Sequence, residues 1–94
     1  MSLSEKDFSK QVKDLASVFH WHLYHTWTSI HSAKGFPDLV MVKPPRLIFC
    51  ELKNETGKLT ESQEEWGELL KACPGVEYHC WKPSQWETII ELLK

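Results

Sequence analysis

Asp38, Glu51, Lys53 and Gln63 are the residues whose types and spacing suit chemistry. Asp38 closes the run Gly35-Phe-Pro-Asp38, Glu51 and Lys53 bracket Leu52, and Gln63 follows ten residues after Lys53. Two carboxylates with a lysine beside them form a set that holds a hard divalent cation and leaves a cationic group free to act on water or on a phosphoryl oxygen. Such a set works only if the chain brings the acids together.

The intervening segments are built to do that. Leu39-Val-Met-Val42 and Arg46-Leu-Ile-Phe-Cys-Glu-Leu-Lys53 are apolar and rich in strand-forming residues, and Lys43-Pro-Pro-Arg46 between them cannot continue a central strand because proline donates no ladder hydrogen bond. The two runs read as an antiparallel hairpin. With Val42 opposite Leu47, Asp38 falls opposite Glu51, and opposed residues have Cβ atoms roughly 4.5–5.5 Å apart. Like charges at that separation repel, and a cation such as Mg²⁺ offsets the repulsion. Lys53, two residues beyond Glu51, shares its face. Leu39, Met41, Ile48, Cys50 and Leu52 make the alternate face apolar, while Val40, Val42, Leu47 and Phe49 are apolar on the first, so the hairpin is expected at a sheet centre covered on both sides. A one-residue slip of the pairing would separate the acids.

Gly35-Phe-Pro-Asp38, Leu47-Ile-Phe-Cys-Glu51-Leu-Lys53 and Gly57-Lys-Leu-Thr-Glu-Ser-Gln63 together resemble the VRR-NUC family of the PD-(D/E)XK nuclease superfamily, in particular its short stand-alone members. The likeness extends over nearly the whole chain, through an amphipathic first helix, Tyr24-His25-Thr26 and Trp81-Lys-Pro-Ser-Gln-Trp86. It implies a metal-dependent endodeoxyribonuclease. Asp38 and Glu51 would be acidic metal ligands, the Leu52 main-chain carbonyl would complete the protein's share, and Lys53 would orient the attacking water or stabilise phosphorane charge. Gln63 matches a glutamine of the family, and Glu5 matches an acidic position that reaches the metal directly or through water. Mg²⁺ is the expected ion, with Mn²⁺ able to substitute. Ser32-Ala-Lys34 departs from more arginine-rich versions of its loop.

Two of these residues also have a purely structural explanation. Thr60-Glu-Ser-Gln63 is a capping box, in which the Gln63 side chain serves the Thr60 amide. Gln63 also leads a helical stripe with Trp66, Leu69, Leu70 and Cys73. Ser4 is an N-cap, and an acid at position 5 is favoured by the helix dipole. Glu5 stands in register with Phe8, Val12, Leu15 or Ala16, and Phe19, which would start a core-facing stripe.

The elements that must position this set are a helix over about 4–19, a strand over about 21–26, the hairpin, a helix over about 61–73, a strand over about 76–81 and a last helix over about 85–93. Ser84-Gln-Trp-Glu87 reads as the capping box of that last helix. The expected fold is α/β with a restriction-endonuclease-like core, order αβββαβα, its central mixed sheet flanked by helices. Residues 1–94 form one domain, without repeats or low-complexity runs.

Composition limits the partners. The chain has 41% apolar residues, five tryptophans and a net charge of −2, which argues against a large nonspecific DNA surface. Lys34, Lys43, Arg46, Lys53 and Lys58 nevertheless cluster around the motif in sequence, although Lys43 and Arg46 lie at the turn end as solvated charges. His20, His22 and His25 crowd together without paired cysteines, which favours surface or capping roles, with His25 and His31 near enough to the motif to meet phosphate. Cys50, Cys73 and Cys80 are read as buried free thiols, with Cys50 and Cys80 as cross-strand neighbours. No run approaches 18 apolar residues and no cleavable signal pattern occurs, so a soluble cytoplasmic protein without membrane contact is expected.

A module of this size grips a duplex weakly alone, whereas a twofold dimer presents two sites to a symmetric branched junction. The family likeness points to the same substrate, so a homodimeric, Holliday-junction-resolvase-like enzyme is expected. The alternative is a catalytically silent DNA-binding or protein-interaction module that keeps the fold.

Overall fold

The computed structural model describes residues 3–26 and 33–94. His31 and Ser32, named above, lie outside them. Ser4 caps the first helix, accepting a hydrogen bond from the Asp7 amide at 3.1 Å, and the apolar spacing behind it forms α1 (Glu5–Val18). Phe8, Val12 and Ala16 are its buried line, with Leu15 and Phe19 packed at the edge. The helix ends where His20 takes a positive φ of 69°, and the chain turns into β1 (His22–His25).

β2 (Leu39–Lys43) and β3 (Arg46–Leu52) pair antiparallel with Val42 opposite Leu47 and Leu39 opposite Cys50. The expected register is the observed one, and the turn is tighter than expected. Lys43 and Arg46 also pair, leaving only Pro44 and Pro45 to turn the chain. A crossover through α2 (Glu61–Lys71) brings β4 (Glu77–Trp81) parallel to β3. The sheet order is β1-β2-β3-β4. The chain closes with a 3₁₀ turn (Pro83–Gln85) and α3 (Trp86–Leu93). The expected αβββαβα order and mixed sheet are therefore present.

Leu39, Met41, Ile48, Cys50 and Leu52 form one buried sheet face with Phe8 and Val12 of α1 and Ile89 and Leu93 of α3. The Trp21 indole donates to the Leu93 carbonyl at 2.8 Å, tying the end of the chain to the start of β1. The opposite face is only partly covered, contrary to the expectation of a sheet buried on both sides. Val42 is 37% exposed, because α2 lies over β4 and the adjoining end of β3. α2 approaches through Gly67, where a Cβ would come 2.9 Å from the Tyr78 ring. That close approach sets which side of the helix faces inward. Trp66 and Leu70 are partly buried, whereas Leu69 (62% exposed) and Cys73 face solvent, so the expected buried stripe is corrected.

Other local readings also change. The last helix has no Ser84–Glu87 capping box. Gln85 instead accepts from the Lys82 amide through its side chain, and the Ser84 amide donates to the Glu55 carboxylate from a loop distant in sequence. Cys80 stands opposite Glu51 and not Cys50, and Cys73 is exposed, so only Cys50 of the three thiols is fully buried. Lys43 and Arg46 are not merely solvated. Lys43 donates to the Phe19 carbonyl at 2.9 Å, and Arg46 makes a forked pair with Glu77, both bonds at 2.8 Å, plus a bond to the Leu92 carbonyl.

The Arg46 hydrogen bond is the main cause holding the Glu77 carboxyl below its usual range. A depressed folded pKa means stability that is present above the ordinary carboxylate range and lost as pH falls through the folded value. Glu77→Gln is expected to cost ~1 kcal/mol at pH 7, discounted for partial exposure, and to lose that difference under strong acid. Thermal melts of both proteins at pH 7 and pH 3 measure it; an equal gap at both pH values would remove the ion pair from the explanation. Among the described residues, no helix is long and apolar enough to cross a membrane.

Candidate metal and phosphate site

Asp38, Glu51, Lys53 and Gln63 gather at the end of the sheet opposite the Pro44–Pro45 turn. This is the carboxyl end of the parallel pair β3–β4, where open α/β sheets commonly leave a binding crevice. The register carries Asp38 one step past the last paired residues, Leu39 and Cys50, to stand beside Glu51.

The loop before Asp38 is anchored from several sides. Gly35 has φ 81°, and a Cβ there would sit 2.5 Å from the Ser62 carbonyl carbon and 2.8 Å from the Gln63 nitrogen. Glycine thus lets the loop touch the first turn of α2. Phe36 packs edge-on against Phe49 and Trp66, with ring centroids 6.0 and 5.0 Å away. Thr26 clamps the other side, its hydroxyl donating to the Pro37 carbonyl at 2.6 Å and its amide to the Asp38 carbonyl at 2.9 Å. One Asp38 side-chain oxygen accepts from the Leu52 amide at 2.9 Å. In a strand the carbonyl of a residue faces the same edge as its amide, so the Leu52 carbonyl is turned toward Asp38 as well.

Glu51 is the unusual residue of the molecule, a carboxyl only 1% exposed. Its Oε1 accepts from the Gln63 side-chain amide at 3.3 Å, while its Oε2 is buried without a hydrogen-bond partner among the described residues. Burial pushes its pKa up to about 9, and the adjacent Asp38 carboxyl adds to the shift. Lys53 opposes it, and Glu5 adds slightly. Two carboxyls held together and one oxygen left bare are an energetic liability in the protein alone. They are also the donor set a hard divalent cation takes. The fit to Mg²⁺ or Mn²⁺ is therefore good at Asp38, Glu51 and the Leu52 carbonyl.

Gln63 satisfies both explanations offered by its spacing. Its side-chain oxygen accepts from the Thr60 amide at 2.8 Å, its own amide donates to the Thr60 hydroxyl at 3.2 Å, and its side-chain NH₂ remains free to hold Glu51. The capping box orients the amide, and the orientation delivers it to the acid. Lys53 follows β3, its amide donating to the Trp81 carbonyl at 3.0 Å. Gly57 lies over its stem, at a distance where a Cβ would come within 3.4 Å.

Glu5 does not lead the buried stripe. It is exposed, and Phe8 is the first buried residue of α1, because the first turn has not yet met the sheet. Glu5 lines the mouth of a groove shared with Asp38. Among the described residues, no three or more His, Cys, Asp and Glu side chains converge into a metal cage, which leaves Asp38 and Glu51 as the carboxylate pair and His20, His22 and His25 as no cluster. Burial, followed by the neighbouring acids, raises the thiol pKa of Cys50, and burial with Glu51 does the same to Cys80, so both stay protonated and unreactive.

The same groove contains Lys6, Ser9, Lys13 and His25. The three α1 residues escaped the motif reading, although their spacing of three and four puts them on one face beside Glu5. Of the basic residues clustered around the motif in sequence, Lys43 and Arg46 are drawn to the far end of the sheet by Phe19, Glu77 and Trp21.

The family model of the VRR-NUC domain matches residues 3–81. A solved structure of a VRR_NUC domain protein is similar to this chain with a TM-score of 0.72 and 17% identity, covering 99% of this chain and 87% of that one. A second, of a VRR_NUC domain, has a TM-score of 0.74 and 21% identity, covering 93% and 94%. At such identities the likeness shows the fold, and it takes in the closing helix that the family model leaves out. A search of curated proteins returns no match.

Proposed function

The chain belongs to the VRR-NUC domain family, a nuclease-type fold, and on that premise we propose that it is a divalent-metal-dependent endodeoxyribonuclease acting on branched DNA as a homodimer. The observation that carries this reading is Glu51, a buried carboxyl pressed against Asp38 with one oxygen bare. A bound Mg²⁺ or Mn²⁺ would supply charge neutralisation at the phosphoryl oxygens and a more acidic water.

The chain's own residues do the rest. Asp38 and Glu51 offer the carboxylate oxygens, and the Leu52 carbonyl a neutral one. Gln63 donates to Glu51 Oε1, which would restrain that carboxyl for the metal. Lys53 presents an ammonium beside Glu51, suited to orienting water or to meeting charge that develops on the phosphoryl group. Glu5, which lines the same groove as Asp38, would act through water. The branched substrate and the dimer are supported by the size of the module and by its charge of −2, since one copy has little surface with which to grip a duplex.

The test is cleavage of labelled four-way-junction, flap and linear duplex DNA with Mg²⁺ or Mn²⁺. The native chain is expected to cut the junction in paired fashion. Asp38→Ala and Lys53→Ala are each expected to lower the rate by about 10²–10⁴-fold. Preference for flap or linear DNA would correct the substrate. Tight DNA binding by a folded, metal-loaded native chain that cuts none of the three would replace the enzyme by a binding module of the same fold.

A further inference from the structure

The groove between α1 and β1 differs from the other surface hollows in both its lining and its position. It encloses about 330 Å³ and is lined by Glu5, Lys6, Ser9, Lys13, His25 and Asp38. The acids belong to the end that opens on the Asp38–Glu51 pair. Lys6, Ser9 and Lys13 follow one another along a single face of α1, and His25 stands on β1. Lys6 and Lys13 are seven residues apart, about 10 Å along a helix, which matches roughly three nucleotides of axial rise along one duplex strand.

Like Lys34, Lys53 and Lys58, and unlike the remaining cations, these two lysines have no partner among the described residues. Lys10 pairs with Asp14 at 3.1 Å, Lys71 with Glu68 at 3.3 Å and Lys94 with Glu91 at 2.8 Å, while Lys82 donates to the Glu55 carbonyl at 3.2 Å. Lys43 and Arg46 are engaged at the far end of the sheet. Lys6 and Lys13 pair with no acid among the described residues. In a chain of net charge −2, cations left open along a groove that begins at a phosphodiester-cleaving centre have an evident use.

We infer that this groove is the track for the sugar-phosphate backbone on one side of the scissile bond, with Lys6 and Lys13 meeting phosphates about three nucleotides apart and Ser9 and His25 donating hydrogen bonds between them. The inference rests on the nuclease reading and gives its substrate a path. Backbone contacts of this kind fix the register of the strand and carry no sequence information. The lysines act as point charges on phosphate oxygens. They position the DNA and take no part in bond breaking. A narrow track of this sort also reconciles DNA binding with an acidic chain, since the attraction is local.

The experiment compares the native chain with the double variant Lys6→Ala/Lys13→Ala and with Lys10→Ala, whose parent residue is already paired on the same helix. Binding of a labelled four-way junction and of a linear duplex is measured by fluorescence anisotropy in Ca²⁺ over a range of salt. Cleavage kinetics are measured in Mg²⁺. All three positions lie away from the core, and thermal melts verify that the variants fold. The double variant is expected to bind at least tenfold more weakly, with a salt slope shallower by about 2, and to show a raised KM with kcat within about twofold. Lys10→Ala should match the native chain. An unchanged slope and KM in the double variant, or an equal loss in Lys10→Ala, overturns the track while a cutting native chain keeps the nuclease reading. A reduced slope in a chain that binds but never cuts keeps the track and overturns the nuclease. A native chain that binds neither DNA overturns both.

Discussion

In the presence of a chelator, Glu51→Gln is expected to melt at a higher temperature than the native protein and to be inert in any metal-dependent assay. The carboxyl is 1% exposed, its neighbour is another acid, and its Oε2 has no partner among the described residues. Its pKa is raised in the folded state from 4.5 to about 9. Between those values the folded chain binds more protons than the unfolded one, so stability falls as pH rises. The contribution is fully present below about pH 4.5 and gone above about pH 9. Glutamine has nearly the same shape, stays neutral and can donate to Asp38 where the carboxyl needs a proton to do so. At pH 8 the gain is on the order of 2–4 kcal/mol after allowance for relaxation of the site, or about 10 °C or more in a domain of this size. Addition of Mg²⁺ should raise the melting temperature of the native chain by preferential binding to the folded state and leave the variant unmoved. Melts at pH 5, 7 and 9 with and without Mg²⁺ decide it. A Glu51→Gln protein that melts at or below the native temperature in chelator, with the same pH slope, would show that Glu51 is not held under strain.

Gly35→Ala is expected to be the most damaging single methyl addition in the chain. A residue with φ 81° is strained by any side chain, at a cost of about 1–2 kcal/mol. Here the added Cβ would also meet backbone, 2.5 Å from the Ser62 carbonyl carbon, 2.7 Å from its oxygen and 2.8 Å from the Gln63 nitrogen. Backbone at the start of a capped helix cannot swing away as a side chain would, so the loop and α2 must part. A loss of about 3 kcal/mol or more follows. Gly75 supplies the internal control. It has the same φ of 81° with nothing within 4 Å of its Cβ position, so Gly75→Ala bears the backbone strain alone. The difference between the two variants in denaturant melts measures the contact between the loop and α2. Because that contact also keeps Gln63 on Glu51, whatever Gly35→Ala protein folds should cleave DNA more slowly than Gly75→Ala. Equal destabilisation by the two substitutions would mean that the loop yields at no cost.

The parts of the molecule readable from sequence are those governed by neighbours along the chain. Pro44-Pro45 between two strand-forming runs marks the hairpin, and setting Val42 opposite Leu47 across it pairs Asp38 with Glu51; the observed two-residue turn is shorter than the expected loop but keeps that register. Ser4 and Thr60 declared the starts of α1 and α2, since a cap is an exchange of hydrogen bonds over three residues. The apolar spacing of Phe8, Val12 and Ala16 determined which side of α1 is buried.

Tertiary structure decided whatever depends on groups far apart in sequence. Which face of α2 is buried follows from the Tyr78 ring lying against Gly67, and Leu69, apolar and correctly spaced, is left in solvent as a result. The start of the last helix departs from its local pattern because Glu55, nearly thirty residues away, takes the Ser84 amide that a local box would leave to Glu87. Lys43 and Arg46 belong to the motif in sequence but to Phe19, Glu77 and Leu92 in space. Gln63 was legible as a cap, yet only the packing of α2 on the sheet brings its second polar atom to Glu51. The groove joining Lys6 and Lys13 to Asp38 exists because α1 crosses beside β1. Local pattern thus determined the pieces and the pairing of the two acids, while the burial that raises the Glu51 pKa and the groove beside Asp38 arise only when helices and sheet exclude water together.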